Sequence, residues 1–72
     1  MNEQINKEKI NYFYAKGEKV HVKLNNKEFR NGVILEQSAL FFILRELNGL
    51  ETPVFFSEIF DVGPYQEKEK DE

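Results

Sequence analysis

The sequence predicts a mainly β fold: an N-terminal helix followed by a small, strongly bent, five-stranded antiparallel barrel. Three observations carry this. Apolar residues recur at helical spacing before Gly17 and at strand spacing after it. Turn-forming residues then cut the chain into short segments at Asn25-Asn26, Glu36-Gln37-Ser38, Asn48-Gly49 and Ser57-Glu58. Finally, the chain has 72 residues and no cysteine. A domain of this size buries only about 60% of its unfolded surface, so its few apolar residues must meet in one core, or in an oligomer.

Residues 1–16 form the helix. Ile10, Phe13 and Tyr14 fall at i, i+3 and i+4, and Gly17 is a helix stop. An isolated helix this short is marginal in water, so it must dock. The uncovered side of the sheet is the expected place.

The first strand, Glu18 to Leu24, alternates, with Val20, Val22 and Leu24 inward and His21 and Lys23 outward. Asn25-Asn26 reads as a two-residue turn, because asparagine tolerates the positive φ of hairpin turns. The second strand, Lys27 to Leu35, places Phe29 and Val33 in the core, and Gly32 marks a bulge or bend. The third strand runs from Ala39 to Leu47 and contains the apolar run Leu40-Phe41-Phe42-Ile43-Leu44, which asks for cover on both faces. Asn48-Gly49 is a strong hairpin signal. Leu50 to Phe56 returns as the fourth strand, at a sheet edge or bulge around Pro53, which lacks a backbone donor. After one short turn, Ile59 to Val62 is the fifth strand, ended by Gly63-Pro64, with Tyr65 folding back. One domain therefore spans 1–65, and 66–72 is a disordered charged tail.

Composition narrows the function. The net charge is −3 and the pI about 5.2, which excludes nucleic-acid binding by bulk attraction. The charge is uneven: residues 1–30 hold seven Lys/Arg and four Glu, residues 31–72 three Lys/Arg and nine Asp/Glu. The apolar run is far below the roughly 20 residues of a membrane span. The polar start Met1-Asn2-Glu3-Gln4 is no secretory signal, and a cytoplasmic protein is the simpler reading. With no cysteine, one histidine (His21), no phosphate-cradling glycine loop and no nucleophile constellation, neither enzyme, metal site nor cofactor is expected.

The basic residues Lys16, Lys19, Lys23, Lys27 and Arg30 lie near Tyr12 and Tyr14 in the sequence and form the best nucleic-acid patch, unless they line a merely solvated sheet face. Lys19 and Lys23 share an outer strand face with His21. Asn25, Asn26 and Asn31 are candidates for reading base edges, although turn chemistry accounts for the first two. Phe41 either stacks a base or packs under the helix or a neighbouring subunit; of Phe55 and Phe56, one faces the core and the other an interface or ligand.

With these residues in place, the chain resembles the Sm/LSm superfamily, and within it the bacterial Sm-like RNA chaperones of the Hfq family. The resemblance covers about residues 5–64. It rests on the helix, on Val20-His21-Val22-Lys23-Leu24, on Phe29-Arg30-Asn31-Gly32-Val33-Ile34, on Phe41-Phe42-Ile43-Leu44 and on Val54-Phe55-Phe56-Ser57-Glu58-Ile59. It implies a ring in which the fourth strand of one subunit pairs with the fifth of the next, here through Val54, Phe55, Phe56, Ile59 and Phe60. It also implies single-stranded RNA as partner, with Phe41 keeping the family's stacking type; the phosphate contacts are expected from the basic patch read above, Lys19, Lys23, Lys27 and Arg30. The RNA-binding motifs are degenerate. The acid and polar residue before the stacking aromatic are replaced by Ala39 and Leu40. A Tyr-Lys-His run is replaced by Phe55-Phe56-Ser57, followed by Glu58. The Arg-Gly of the second Sm motif is absent. An Sm-fold module that contacts another protein and has lost RNA binding is the alternative. Another small barrel, of the oligonucleotide-binding or Src-homology type, is a third.

Overall fold

A computed structural model describes residues 2–66; of the tail expected at 66–72, all but Gln66 lies outside the described residues. The order is α1 (Asn2–Lys16), β1 (Lys19–Leu24), β2 (Phe29–Gln37), β3 (Phe41–Glu46), β4 (Glu51–Phe55), a 3-10 turn (Phe56–Glu58) and β5 (Ile59–Pro64). All strands are antiparallel in one sheet of order β4-β3-β2-β1-β5. The predicted class, helix then five strands, is the class observed.

The sheet is curled. Five strands at about 4.8 Å spacing place the outer two roughly 19 Å apart if flat. Yet Val54 of β4 and Ile59 and Val62 of β5 share one buried cluster with Val20, Val22, Leu24, Ile34, Phe42 and Leu44. Bulges occur at Leu35, skipped between Ile34 and Glu36, and at Phe60, where the register with Lys23 and Leu24 shifts. Gly32 serves the curl differently from the expected bulge. It stays in register with Val20 and Glu46, but β3 approaches so closely that a Cβ there would lie 2.0 Å from the Arg45 carbonyl oxygen.

α1 is stopped as Gly17 requires: Gly17 adopts φ +68°, its N–H donates to Tyr14 O and the Glu18 N–H donates to Phe13 O. The helix does not cover the outer side of the sheet. Ile10 and Phe13 join the core cluster, so α1 closes the open mouth of the curled sheet. The buried stripe is Asn6, Ile10 and Phe13, while Tyr14 is exposed. Asn6 is the exception to an apolar stripe, and its amide donates to Ile59 O at 3.4 Å.

The second strand is phased opposite to expectation. A two-residue turn at Asn25-Asn26 would set Phe29 opposite inward Val22. Instead Asn25 to Glu28 form a four-residue connection in which Leu24 N–H donates to Glu28 O and Lys27 N–H to Leu24 O. Asn26 uses its side chain, accepting from the Glu28 N–H at 3.0 Å, and Lys27 takes the positive φ of 75°. Phe29 thereby faces Lys23, and Val33 faces Lys19. A one-residue shift moves every side chain to the other face. Phe29 is therefore 50% exposed, Val33 half-buried, and Ile34 with Gly32 faces the core. Leu40, expected to share a face with Phe42 and Leu44, lies outside β3 and is exposed. The Asn48-Gly49 hairpin forms as expected, and Pro53 is on edge strand β4.

Candidate nucleic-acid interface

The phase of β2 builds the site. With β1 directing His21 and Lys23 outward, the cross-strand partners Asn31 and Phe29 follow on the same outer face. The His21 ring stacks on Phe29 at 4.8 Å between centroids, inclined by 26°. His21 Nδ1 lies 2.5 Å from Asn31 Oδ1. This contact fixes the orientation of the ring on the outer face.

Lys23 is held between two phenylalanines. Its Nζ lies 5.9 Å from the Phe29 centroid and 5.3 Å from that of Phe60, which the β5 bulge brings alongside. Both rings stay half in solvent, at 50% and 54% exposure. One face of Phe29 is taken by His21, but both rings keep exposed surface beside one ammonium, where planar groups can meet the rings while the cation meets an anion. Next to them, Asp61 is paired in register with Lys23 and ion-paired with Lys9 of α1 at 3.1 Å. The hydrogen bond from Lys9 is the main reason its carboxyl lies below the ordinary value of 3.8; burial opposes this, and the Val62 N–H and the charges of Lys9 and Lys23 assist it.

The other expected residues are dispersed. Lys19 begins β1 on the same outer face, and Lys27 is exposed in the β1–β2 connection. Arg30 leaves the group. It is opposite Val22, on the inner side of the sheet, where Nη2 is ion-paired with Glu28 at 3.2 Å and Nη1 donates to Phe29 O. It lines a cleft of about 380 Å³ with Asn25, Asn26, Glu28, Ser57 and Glu58. Two carboxylates there oppose phosphate. Asn25 is spent on a hydrogen bond to Ser57 O at 3.2 Å. Lys16 lies over Tyr12 on the helix, 5.5 Å from its centroid. Phe41 is half-buried on the outer face and meets Phe55 at 5.3 Å, so its stacking face is partly taken. Of the residues expected at a subunit contact, Val54, Phe56 and Ile59 lie in the chain's own core, whereas Phe55 and Phe60 are exposed.

The reading from sequence missed Phe29, Phe60 and Asn31 as members of one outer patch. The signal available was the identity of the β1–β2 connection. Had Lys27 been assigned the left-handed position, the register would have put Phe29 beside Lys23.

No protein-family model and no curated protein matches the chain. Among solved structures, a 1.55 Å crystal structure of the pleiotropic translational regulator Hfq is similar, with a TM-score of 0.70 and 22% sequence identity over 81% of this chain and 95% of that one. At that identity the likeness speaks for the fold. The chain has an N-terminal helix and five antiparallel strands arranged as in Hfq, and its fold is Sm-like.

Proposed function

We propose that this is an Sm-like, non-catalytic, cytoplasmic RNA-binding protein that acts on single-stranded RNA as a homo-oligomeric ring. The observation that carries the proposal is Lys23 held between the exposed rings of Phe29 and Phe60. Bases stack on the phenyl faces, and the Lys23, Lys19 and Lys27 ammonium groups meet the backbone phosphates. Stacking on an aromatic side chain is worth about 1–3 kcal/mol per base and tolerates any base. In a net-negative chain this attraction is local and falls steeply with salt. The ring is supported by the two uncovered edges, β4 and β5, of a curled sheet whose strand order leaves them unpaired with each other. Repeating a weak patch around a ring raises the apparent affinity without a new contact. Among the described residues no helix is long and apolar enough to cross a membrane.

The test is titration of labelled A-rich and U-rich oligonucleotides at low and moderate salt. Wild type binds at low salt. Phe29→Ala and Phe60→Ala each weaken binding about tenfold, in line with one lost stacking contact. Arg30→Ala, altered on the opposite side of the sheet, leaves it within twofold. Absence of binding to either oligonucleotide, or full affinity in the double phenylalanine variant, refutes the proposal. The second reading, a module for a protein partner, is favoured by the exposed Leu47 and Leu50 at the β3–β4 hairpin, at 51% and 63%. The ultraviolet absorbance ratio and mass of the purified native particle separate the two, since bound RNA and a co-purifying protein change them differently.

A further inference from the structure

The two free edges are not equivalent. On β5, the Tyr65 N–H donates to Lys19 O, and pairing alternates along an antiparallel ladder. Gly63 and Asp61 therefore face β1, and Val62 and Pro64 turn their backbone groups to the open side. Pro64 has no N–H to offer. The Val62 N–H is already donated to Asp61 Oδ1 at 2.8 Å, and that carboxylate is held in place by Lys9 Nζ from α1 at 3.1 Å. On β4, the bonds Phe56 N–H to Leu40 O and Glu46 N–H to Leu50 O turn Glu51, Pro53 and Phe55 to the open side. There each residue offers a carbonyl, and among the described residues no side chain takes a backbone N–H.

We propose that Asp61 gates self-association: β4 of a second copy adds to β5 only when the Asp61 carboxylate gives up the Val62 N–H to a carbonyl of the incoming strand. This rests on the ring reading and supplies its control point. β4 is the occupant because every outward position on it, Pro53 included, presents the acceptor that Val62 needs once released. Beside the edge, Ile5 and Tyr12 of α1 leave an apolar groove of about 560 Å³ over Val62 and Pro64, which receives side chains of the added strand. While closed, the gate spends the β5 donor within the chain and keeps a curled sheet from joining strands indiscriminately.

The experiment measures the concentration dependence of mass by analytical ultracentrifugation for wild type, Asp61→Ala and Asp61→Asn, with circular dichroism to establish folding. Asp61→Ala frees the Val62 N–H and shifts half-assembly to a concentration about three- to tenfold lower, the worth of one backbone hydrogen bond no longer contested. Asp61→Asn keeps an acceptor for Val62 and shifts it less. In dilute monomer, amide exchange at Val62 accelerates in Asp61→Ala. Unchanged or weaker assembly of folded Asp61→Ala, against an assembling wild type, overturns the gate and leaves the ring standing. Monomers at every concentration in all three proteins overturn both.

Discussion

Replacing Gly32 with alanine is expected to remove about half of this protein's margin of stability. The added Cβ would lie 2.0 Å from Arg45 O, 2.7 Å from Arg45 C and 2.9 Å from Glu46 Cα. All three are backbone atoms of β3, so no side chain can swing aside. Relieving the contact needs a separation of roughly 3.3 Å or more, a retreat of about 1.3 Å, which stretches hydrogen bonds of about 2.9 Å beyond usefulness. Overpacking costs typically 1–3 kcal/mol. One or two lost ladder bonds between β2 and β3 add about 1 kcal/mol each. The total is about 2–5 kcal/mol, against roughly 4–11 kcal/mol for a whole domain of this length. At about 4–8 °C per kcal/mol, Tm falls by at least about 8 °C. Thermal and urea unfolding followed by circular dichroism measures it. Gly63→Ala is the control: nothing lies within 4 Å of its Cβ position and its φ is not positive, so its Tm stays within about 3 °C. If Gly32→Ala melts with Gly63→Ala, the close approach of β3 to β2 is not a feature of the folded protein.

Three further outcomes follow from single residues. Lys27 holds φ 75°, a conformation costing an L-residue about 1–2 kcal/mol, partly offset in glycine by its greater unfolded-state freedom; Lys27→Gly therefore raises stability by up to about 1 kcal/mol in urea unfolding while lowering RNA affinity, so the two effects separate. Phe42 is fully enclosed against Phe56, and Phe42→Ala costs about 3–5 kcal/mol in the same assay. Asp61 has a folded-state pKa below its ordinary 3.8. Its contribution is present above that value and lost as pH falls through the lower folded one. Wild type therefore loses stability relative to Asp61→Asn on acidification below about pH 4, by less than about 1 kcal/mol for so exposed a pair, read from urea midpoints across pH.

Much of the architecture was legible because it is written in local chemistry. Gly17 ends the helix, Asn48-Gly49 turns the hairpin, and Pro53 marks an edge, each for a reason contained within a few residues. The site was less legible. Lys19 and Lys23 were correctly placed together, since strand periodicity is local. Phe29 and Val33 were assigned to the core face and Arg30 was grouped with lysines from which the structure separates it, because a face on β2 depends on its register with β1. That register turned on whether Asn26 used its backbone or its side chain in the connecting turn.

The sequence by itself determined the helix, the number of strands, the tight hairpin and the inward alternation of Val20, Val22 and Leu24, because backbone preference and hydrophobic period act over short stretches. Only the tertiary structure decided that α1 closes the mouth of the sheet, that Lys23 lies between Phe29 and Phe60, and that Asp61 occupies the Val62 N–H. Those outcomes depend on which strands meet and in what register, and a single residue of slip there exchanges the inside of a sheet for its outside.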